Sequence, residues 1–322
     1  FSYGIDGDYA IGWCRAVGEE NPNRVDSRQK GTAYFNAIYE GAKKGAVELG
    51  DVELFYDGPS DDSPEKETQF IERLIAKGVD ALAVEGTDPP SVAPVLKKAR
   101  LRGIKVITWD YDESRDSRVF FISQVSDRDF GYALVDAMAR ALGGEKPEGK
   151  VAVETTFLTA IDRKHWIAYM KERLNLYPGI QLLETMPTNG DQSAAIQLTN
   201  NLLLGNPDLR GVWALSVDAL TSCAETVNRS SRDGQVRVVG LGTPAATAQL
   251  VESGEISAVV LWDVPELGQL IVYTCEALAK GRLKAGAIEL SSPLGKRRID
   301  GDIITVGQPI IFTKENIEQY KF

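Results

Sequence analysis

The chain has 322 residues, enough for a substantial core and, by length, about two domains. Its 36 Lys and Arg against 46 Asp and Glu leave a net charge of −10, which opposes a phosphate backbone or an anionic membrane and argues against nucleic acid as a partner. With 43% hydrophobic and 25% charged residues it has an ordinary globular composition, and no stretch approaches the roughly 18 to 20 consecutive apolar residues of a membrane-spanning helix.

The sequence opens on "FSYGIDGDYAIGW" with no basic, apolar leader, as expected after removal of an export signal or after trimming. In chain order, short β-rich runs then alternate with helical patterns: "YAIGW", "VELFY", "VDALAVE" and "IKVITW", followed by "KVAVE", "IQLLE", "RGVWALS", "VRVVGLG" and "SAVVLW". Near-continuous apolar strands between amphipathic helices predict parallel sheets covered on both faces, an α/β fold. The pattern repeats. "PEKETQFIERLIAKGVDALAVEGTD" (64–88) reads helix, Gly stop, Asp, buried strand, and "DQSAAIQLTNNLLLGNPDLRGVWALS" (191–216) reads the same way.

Two similar doubly wound parallel-sheet lobes are therefore expected, joined by a multi-strand hinge. "FFISQVSDRDFGYALVDAMARAL" places the first crossover near Ser123 and Gln124. "LWDVPELGQLIVYTCEALAKG" places the second at Asp263, with Pro265 in the first turn of the next helix. The tail offers two short strands and a last helical turn, with a third crossing near residue 300. The expected lobes are 1–123 plus 264–299 and 124–263 plus 300–322. In open α/β sheets ligands sit beyond the carboxyl ends of the strands, so both lobes are expected to aim their strand-end loops at one cleft and to close on its occupant.

The candidate binding residues lie at those strand ends. The first lobe supplies Arg28, Tyr34, Phe35, Glu85, Trp109 and Asp110; the second supplies Asp162, Arg163, Ser216 and Asp218; Trp262 and Asp263 stand at the crossover. Aromatic faces suit the C–H faces of a sugar, and carboxylates and guanidinium groups suit vicinal hydroxyls. Each residue also has a plainer reading: Asp110 as a turn or helix cap, Asp162 as the N-cap of "RKHWIAYMKERL", Arg163 on a solvated helix face, Tyr34, Phe35 and Trp262 as core.

Catalysis finds less support. His165 is the only histidine, flanked by Lys164 and Trp166 with no nucleophile motif beside it. The three cysteines, Cys14, Cys223 and Cys275, are too few and too scattered for a disulfide framework or a zinc site and read as buried free thiols, and calcium-loop spacing is absent. "GLGTPA" (240–245) matches a dinucleotide fingerprint only superficially, because it follows a late strand and carries Pro244. No cofactor, metal or enzymatic activity is expected.

The strings "LFYDGPS", "GIKVITWDYD", "VVLWDV", "IVYTCEALAKG" and "IIFTKENIEQYKF" resemble the type I periplasmic sugar-binding proteins of ABC transporters, with the autoinducer-2 and rhamnose receptor branch nearest. The resemblance runs from about Gln29 to Phe322, whereas the stretch from Ala10 to Ser27 is longer than the usual first loop. It implies that Arg28 stands where the autoinducer-2 receptors carry a Lys and that Asp110 matches their Asp. Asp162-Arg163 meets their Asp-Gln pair, keeping the acid and replacing the amide, and Leu215 and Val217 meet their Pro and Ala. An Arg near 163 and aromatics near Tyr34-Phe35 belong to the wider sugar binders.

What the resemblance implies is a monomeric solute-binding protein of an ABC importer, periplasmic or anchored as an extracellular lipoprotein. Its partners would be a monosaccharide or small polyol, a membrane ABC permease and, as a further candidate, a chemoreceptor. The alternatives are an autoinducer-2 quorum-signal receptor, a sensor domain of a lactose-repressor-type regulator, and a glycosidase using Asp110 and Asp162.

Overall fold

The computed structural model describes residues 11–16, 26–27, 33–57, 64–85, 89–112 and 114–322. The chain divides into two compact units, Phe1–Gln124 with Asp263–Gly307 (unit 1) and Val125–Trp262 with Gln308–Phe322 (unit 2).

Unit 1 begins with β1 (Ile11–Ala16), β2 (Asp26–Ser27), α1 (Ala33–Leu49), β3 (Val52–Asp57), α2 (Pro64–Lys77), β4 (Ala81–Val84), α3 (Pro89–Leu101), β5 (Lys105–Trp109) and β6 (Phe120–Ser123). Unit 2 follows with α4 (Asp127–Ala141), β7 (Gly149–Thr155), α5 (Ile161–Leu174), β8 (Ile180–Pro187), α6 (Gln192–Gly205), β9 (Leu209–Ala214), α7 (Val217–Asn228), β10 (Arg237–Leu241), α8 (Pro244–Ser253) and β11 (Ala258–Leu261). The chain returns to unit 1 for α9 (Val264–Ala279), β12 (Glu289–Ser292), β13 (Gly295–Asp300) and β14 (Ile303–Thr305), and ends in unit 2 with β15 (Ile310–Phe312).

Unit 1 is built on a sheet of order β12-β13-β14-β6-β5-β4-β1-β3-β2. Strands β4, β5, β6 and β14 are parallel, whereas β1 pairs antiparallel with both β3 and β4. Alternation along the strands sends Leu82, Val84 and Val106 to one face, where Ile71, Leu74 and Ile75 of α2 and Val92, Val95, Leu96 and Ala99 of α3 complete an apolar cluster at helical spacing. The opposite face carries α9, which packs on β4 and β5 and against α1.

The α1–α9 contact is close enough to require glycine. A Cβ on Gly268 would stand 2.0 Å from the Ile38 carbonyl oxygen, and one on Gly41 would stand 2.0 Å from that of Pro265. Gly268→Val is therefore expected to push the helices apart and cost at least about 1–3 kcal/mol of stability. Gly205→Ala, at a position with nothing within 4 Å, is the neutral control, and urea denaturation of both variants makes the comparison.

Unit 2 has the order β15-β11-β10-β9-β7-β8, parallel except for β15. Buried strands run directly into capped helices. Ser216, Thr243 and Asp263, each two residues beyond the end of a parallel strand, accept backbone N–H bonds from Ala219, Ala246 and Glu266 and so start α7, α8 and α9. The C-terminal string closes this unit: Phe312 is fully buried with the Tyr320 ring 4.8 Å away, and Ala245 N donates to the Phe322 carbonyl at 2.8 Å.

The third crossing falls after Gly307, not near residue 300. Residues 303–305 form β14, which pairs in parallel with β6, and Ile304, opposite Ile122, has no exposure. Long-range pairing therefore keeps this segment in unit 1.

Candidate functional site

In unit 1 the end of β5 delivers Trp109 and Asp110. Trp109 is 1% exposed, lies edge-on to Phe35 at 6.1 Å, and its indole N–H has no hydrogen-bond partner among the described residues. Phe35 in turn meets Tyr34 at 5.4 Å, and the Tyr34 hydroxyl donates to the Asp110 carboxylate at 3.1 Å. Four of the expected residues, Tyr34, Phe35, Trp109 and Asp110, thus form one connected group. Glu85, directly after β4, is 1% exposed. Arg28 lies outside the described residues.

The Asp110 backbone is left-handed at φ 62°, and the Gln124 side-chain amide donates to its carbonyl at 3.4 Å. The second acid of "WDYD", Asp112, receives a two-pronged bond from Arg118, with Nε to Oδ1 at 2.5 Å and Nη2 to Oδ2 at 2.7 Å, and a third bond from Thr108 Oγ1 at 3.0 Å. Neither Asp112 nor Arg118 is among the residues that the sequence singled out.

In unit 2 the group centres on Arg163, which is 7% exposed and not on a solvated helix face. Its Nε donates to the Leu215 carbonyl at 3.2 Å, Nη1 pairs with the Asp162 carboxylate, and the guanidinium lies 4.3 Å over the Trp166 ring. Nη2 carries no hydrogen bond among the described residues. The N-cap of α5 is Ala160 rather than Asp162, which occupies the first turn and accepts from the Arg163 backbone N at 2.7 Å.

A ring contact continues from Trp166 to Phe130 at 4.3 Å and from Phe130 to Trp262 at 5.8 Å. Trp262 is 7% exposed and therefore joins Arg163 through two aromatics that look like ordinary helix core in the sequence. Asp127 accepts from the Trp166 indole at 2.8 Å and lies 2.9 Å from His165 Nδ1, so the only histidine is tied to support of the aromatic floor. Ser216 is spent largely on capping α7. Asp218 is exposed in the first turn of that helix. Asp263 caps α9 through Oδ1.

Unit 2 also holds a second polar cluster. Glu154, near the end of β7, is fully buried, with Oε1 2.8 Å from Thr199 Oγ1 and Oε2 without a hydrogen-bond partner among the described residues. Burial pushes its carboxyl up to about 7, against the opposing effect of the Thr199 hydroxyl. Burial also raises the Cys223 thiol well above its ordinary value, with the Glu154 carboxylate adding to it, so this cysteine stays a protonated core group. Cys223 and Cys275 are both buried.

The arrangement offers forked charged groups and aromatic surface within each unit, which suits recognition of a small polar molecule. Comparison with known proteins agrees. The model of the periplasmic binding protein domain matches residues 27–283. A solved structure described as a sugar ABC transporter, from Actinomyces odontolyticus, shares 29% identity at a TM-score of 0.84, covering 91% of this chain and 95% of that one. An ABC transporter solute binding protein from Clostridium phytofermentas with bound L-rhamnose shares 25% identity at a TM-score of 0.73, covering 92% and 96%. The ribose import binding protein of Escherichia coli is 25% identical over 250 residues, 77% of this chain and 81% of that protein. With its α/β fold and a family match over most of its length, the chain belongs to the periplasmic binding protein family.

Proposed function

We propose that this protein is the extracytoplasmic solute-binding component of an ABC importer and that its ligand is a monosaccharide or a related small polyol. The observation that carries the reading is Arg163. Its guanidinium is buried, held through Nε by Leu215 O and through Nη1 by Asp162 and stacked on Trp166, with Nη2 left to donate. Holding an arginine in place before the ligand arrives removes much of the ordering cost of binding. Asp110, oriented by Tyr34 and Gln124, offers the complementary acceptor in unit 1. Tyr34, Phe35 and Trp262 supply apolar surface for C–H groups, with Trp109 packed behind Phe35, and Glu85, Ser216, Asp218 and Asp263 are further hydroxyl partners. Arg28 completes the proposed set.

The L-rhamnose complex and the ribose import protein among the relatives support a sugar of five or six carbons. In this reading the protein does no chemistry on the ligand and hands it to a membrane permease, either free in the periplasm or held at the membrane by a lipid.

A thermal-shift screen tests it. Pentoses, deoxyhexoses, hexoses, polyols and autoinducer-2 are each added in excess. A ligand at about 100 times its Kd stabilises by about 2.7 kcal/mol, so one sugar class should raise Tm by roughly 5 °C or more. A shift with autoinducer-2 alone would move the reading to a signal receptor, and no shift across the panel would remove it.

A further inference from the structure

Asp110 is one of only two described non-glycine residues with a positive φ, 62°, the other being Asn189. A side-chain-bearing residue in the left-handed region costs on the order of 1 kcal/mol, and such a conformation persists where the surroundings over-determine it. The surroundings here are unusual. The Arg118 side chain is fully buried: Nε and Nη2 grip Asp112, two residues past Asp110, while Nη1 makes no hydrogen bond and lies 3.0 Å from Asp302 Oδ2 as an ion pair.

Each partner is tied to a different strand. Thr108 of β5 binds Asp112, Arg118 leads into β6, and the Asp302 carbonyl, just ahead of β14, accepts from Phe121 N at 2.9 Å. The turn that carries Asp110 is thus riveted to three adjacent strands through one guanidinium. A buried ion cluster contributes little net stability compared with well-packed apolar side chains, whereas a two-pronged Arg–carboxylate contact fixes geometry.

We infer that Arg118 is a positioning residue for ligand recognition: by clamping Asp112 and Asp302 it holds the 110–112 turn so that the Asp110 carboxylate is presented in its left-handed conformation. The inference rests on the sugar-binding reading, with Asp110 as a ligand acceptor.

A double-mutant cycle tests it, with D-ribose, D-arabinose and L-rhamnose as calorimetric probes. Arg118→Lys keeps the charge and loses the fork; Asp110→Asn places at 110 a residue that adopts the left-handed region readily. Arg118→Lys is expected to weaken binding about tenfold in the Asp110 background and by less than about threefold in the Asp110→Asn background. Equal losses in both backgrounds, or no loss from Arg118→Lys, overturn the clamp while leaving the binding reading intact. An Asp110→Asn variant that binds unchanged removes Asp110 as a ligand acceptor and overturns the clamp with the binding reading intact; failure of the unaltered chain to bind any probe, together with no shift across the sugar panel, overturns the binding reading and the clamp with it. Should Arg118→Lys not fold, Asp112→Asn, which leaves Arg118 paired with Asp302, takes its place in the same cycle.

Discussion

Glu154→Gln is expected to leave the protein more stable than the unaltered chain at about pH 8 and to remove a large part of its stability loss between about pH 4.5 and 7. Glu154 has no exposure, and among the described residues the groups facing it are Thr199 on α6 and the Cys223 thiol on α7, neither of them cationic. Thr199 has a single hydroxyl hydrogen, and its Oγ1 lies 2.9 Å from the Ala195 carbonyl as well as 2.8 Å from Glu154. When that hydrogen serves Ala195, only a protonated Glu154 can donate to Thr199 in return.

The sign follows from the raised value. Burial lifts the folded-state carboxyl from 4.5 to about 7. Below about pH 4.5 both folded and unfolded chains hold the proton and the contribution is complete. Between about 4.5 and 7 the unfolded chain releases it while the folded chain keeps it, so stability falls by up to about 1.4 kcal/mol per pH unit. Above about 7 the contribution is gone, a total on the order of 3 kcal/mol. A glutamine retains the shape and does not titrate. Urea denaturation of the two proteins at about pH 4.5, 6 and 8 should show the gap between them widening with pH; parallel curves would mean that Glu154 titrates in the folded state as it does unfolded.

The second large effect is on binding. Arg163→Ala should weaken affinity for the sugar found in the screen by at least about 30-fold, since removing one partner of a buried charged hydrogen bond costs roughly 2–5 kcal/mol. Arg163→Lys should recover little of it. A lysine ammonium cannot hold both Leu215 O and Asp162, lie flat over Trp166 and still present a donor in a fixed direction. Folding should survive both changes, because the lost bonds are few and Trp166 remains anchored by Asp127.

The fold was legible because buried parallel strands are written as apolar runs and their exits as capping residues. "RGVWALS" becomes β9 and its Ser216 cap, and "VVLWD" becomes β11 and the Asp263 cap. The internal repeat also holds, with a local difference: Gly78 stops its helix in the left-handed region at φ 72°, whereas Gly205 stays in α6 and Asn206 is the C-cap. The boundary near residue 300 was not legible. Whether "DIITV" belongs to one sheet or the other is decided by Ile304 against Ile122 and by Asp302 on Arg118, contacts between segments about 180 residues apart in sequence.

The site was legible in residue type more than in arrangement. Charged residues at strand ends stand out against apolar strands, so Asp110 and Arg163 were visible. Arg118 was not, because one arginine ahead of "VFFI" looks like any solvated residue until its buried partners are known. Phe130 and Trp166 have helical spacing and read as core; only the packing of α4 on α5 shows them linking Arg163 to Trp262. Trp109 read as an open stacking surface, and its 1% exposure shows an indole packed behind Phe35.

Calorimetric titration of the screened sugar into the unaltered chain and into Arg163→Ala decides whether a preorganised guanidinium reads a hydroxylated ligand here. Single-site, saturable binding by the unaltered chain, with an affinity loss of at least about 30-fold in a variant that keeps its folded signal, is the expected result. Equal affinity in the two proteins would contradict it.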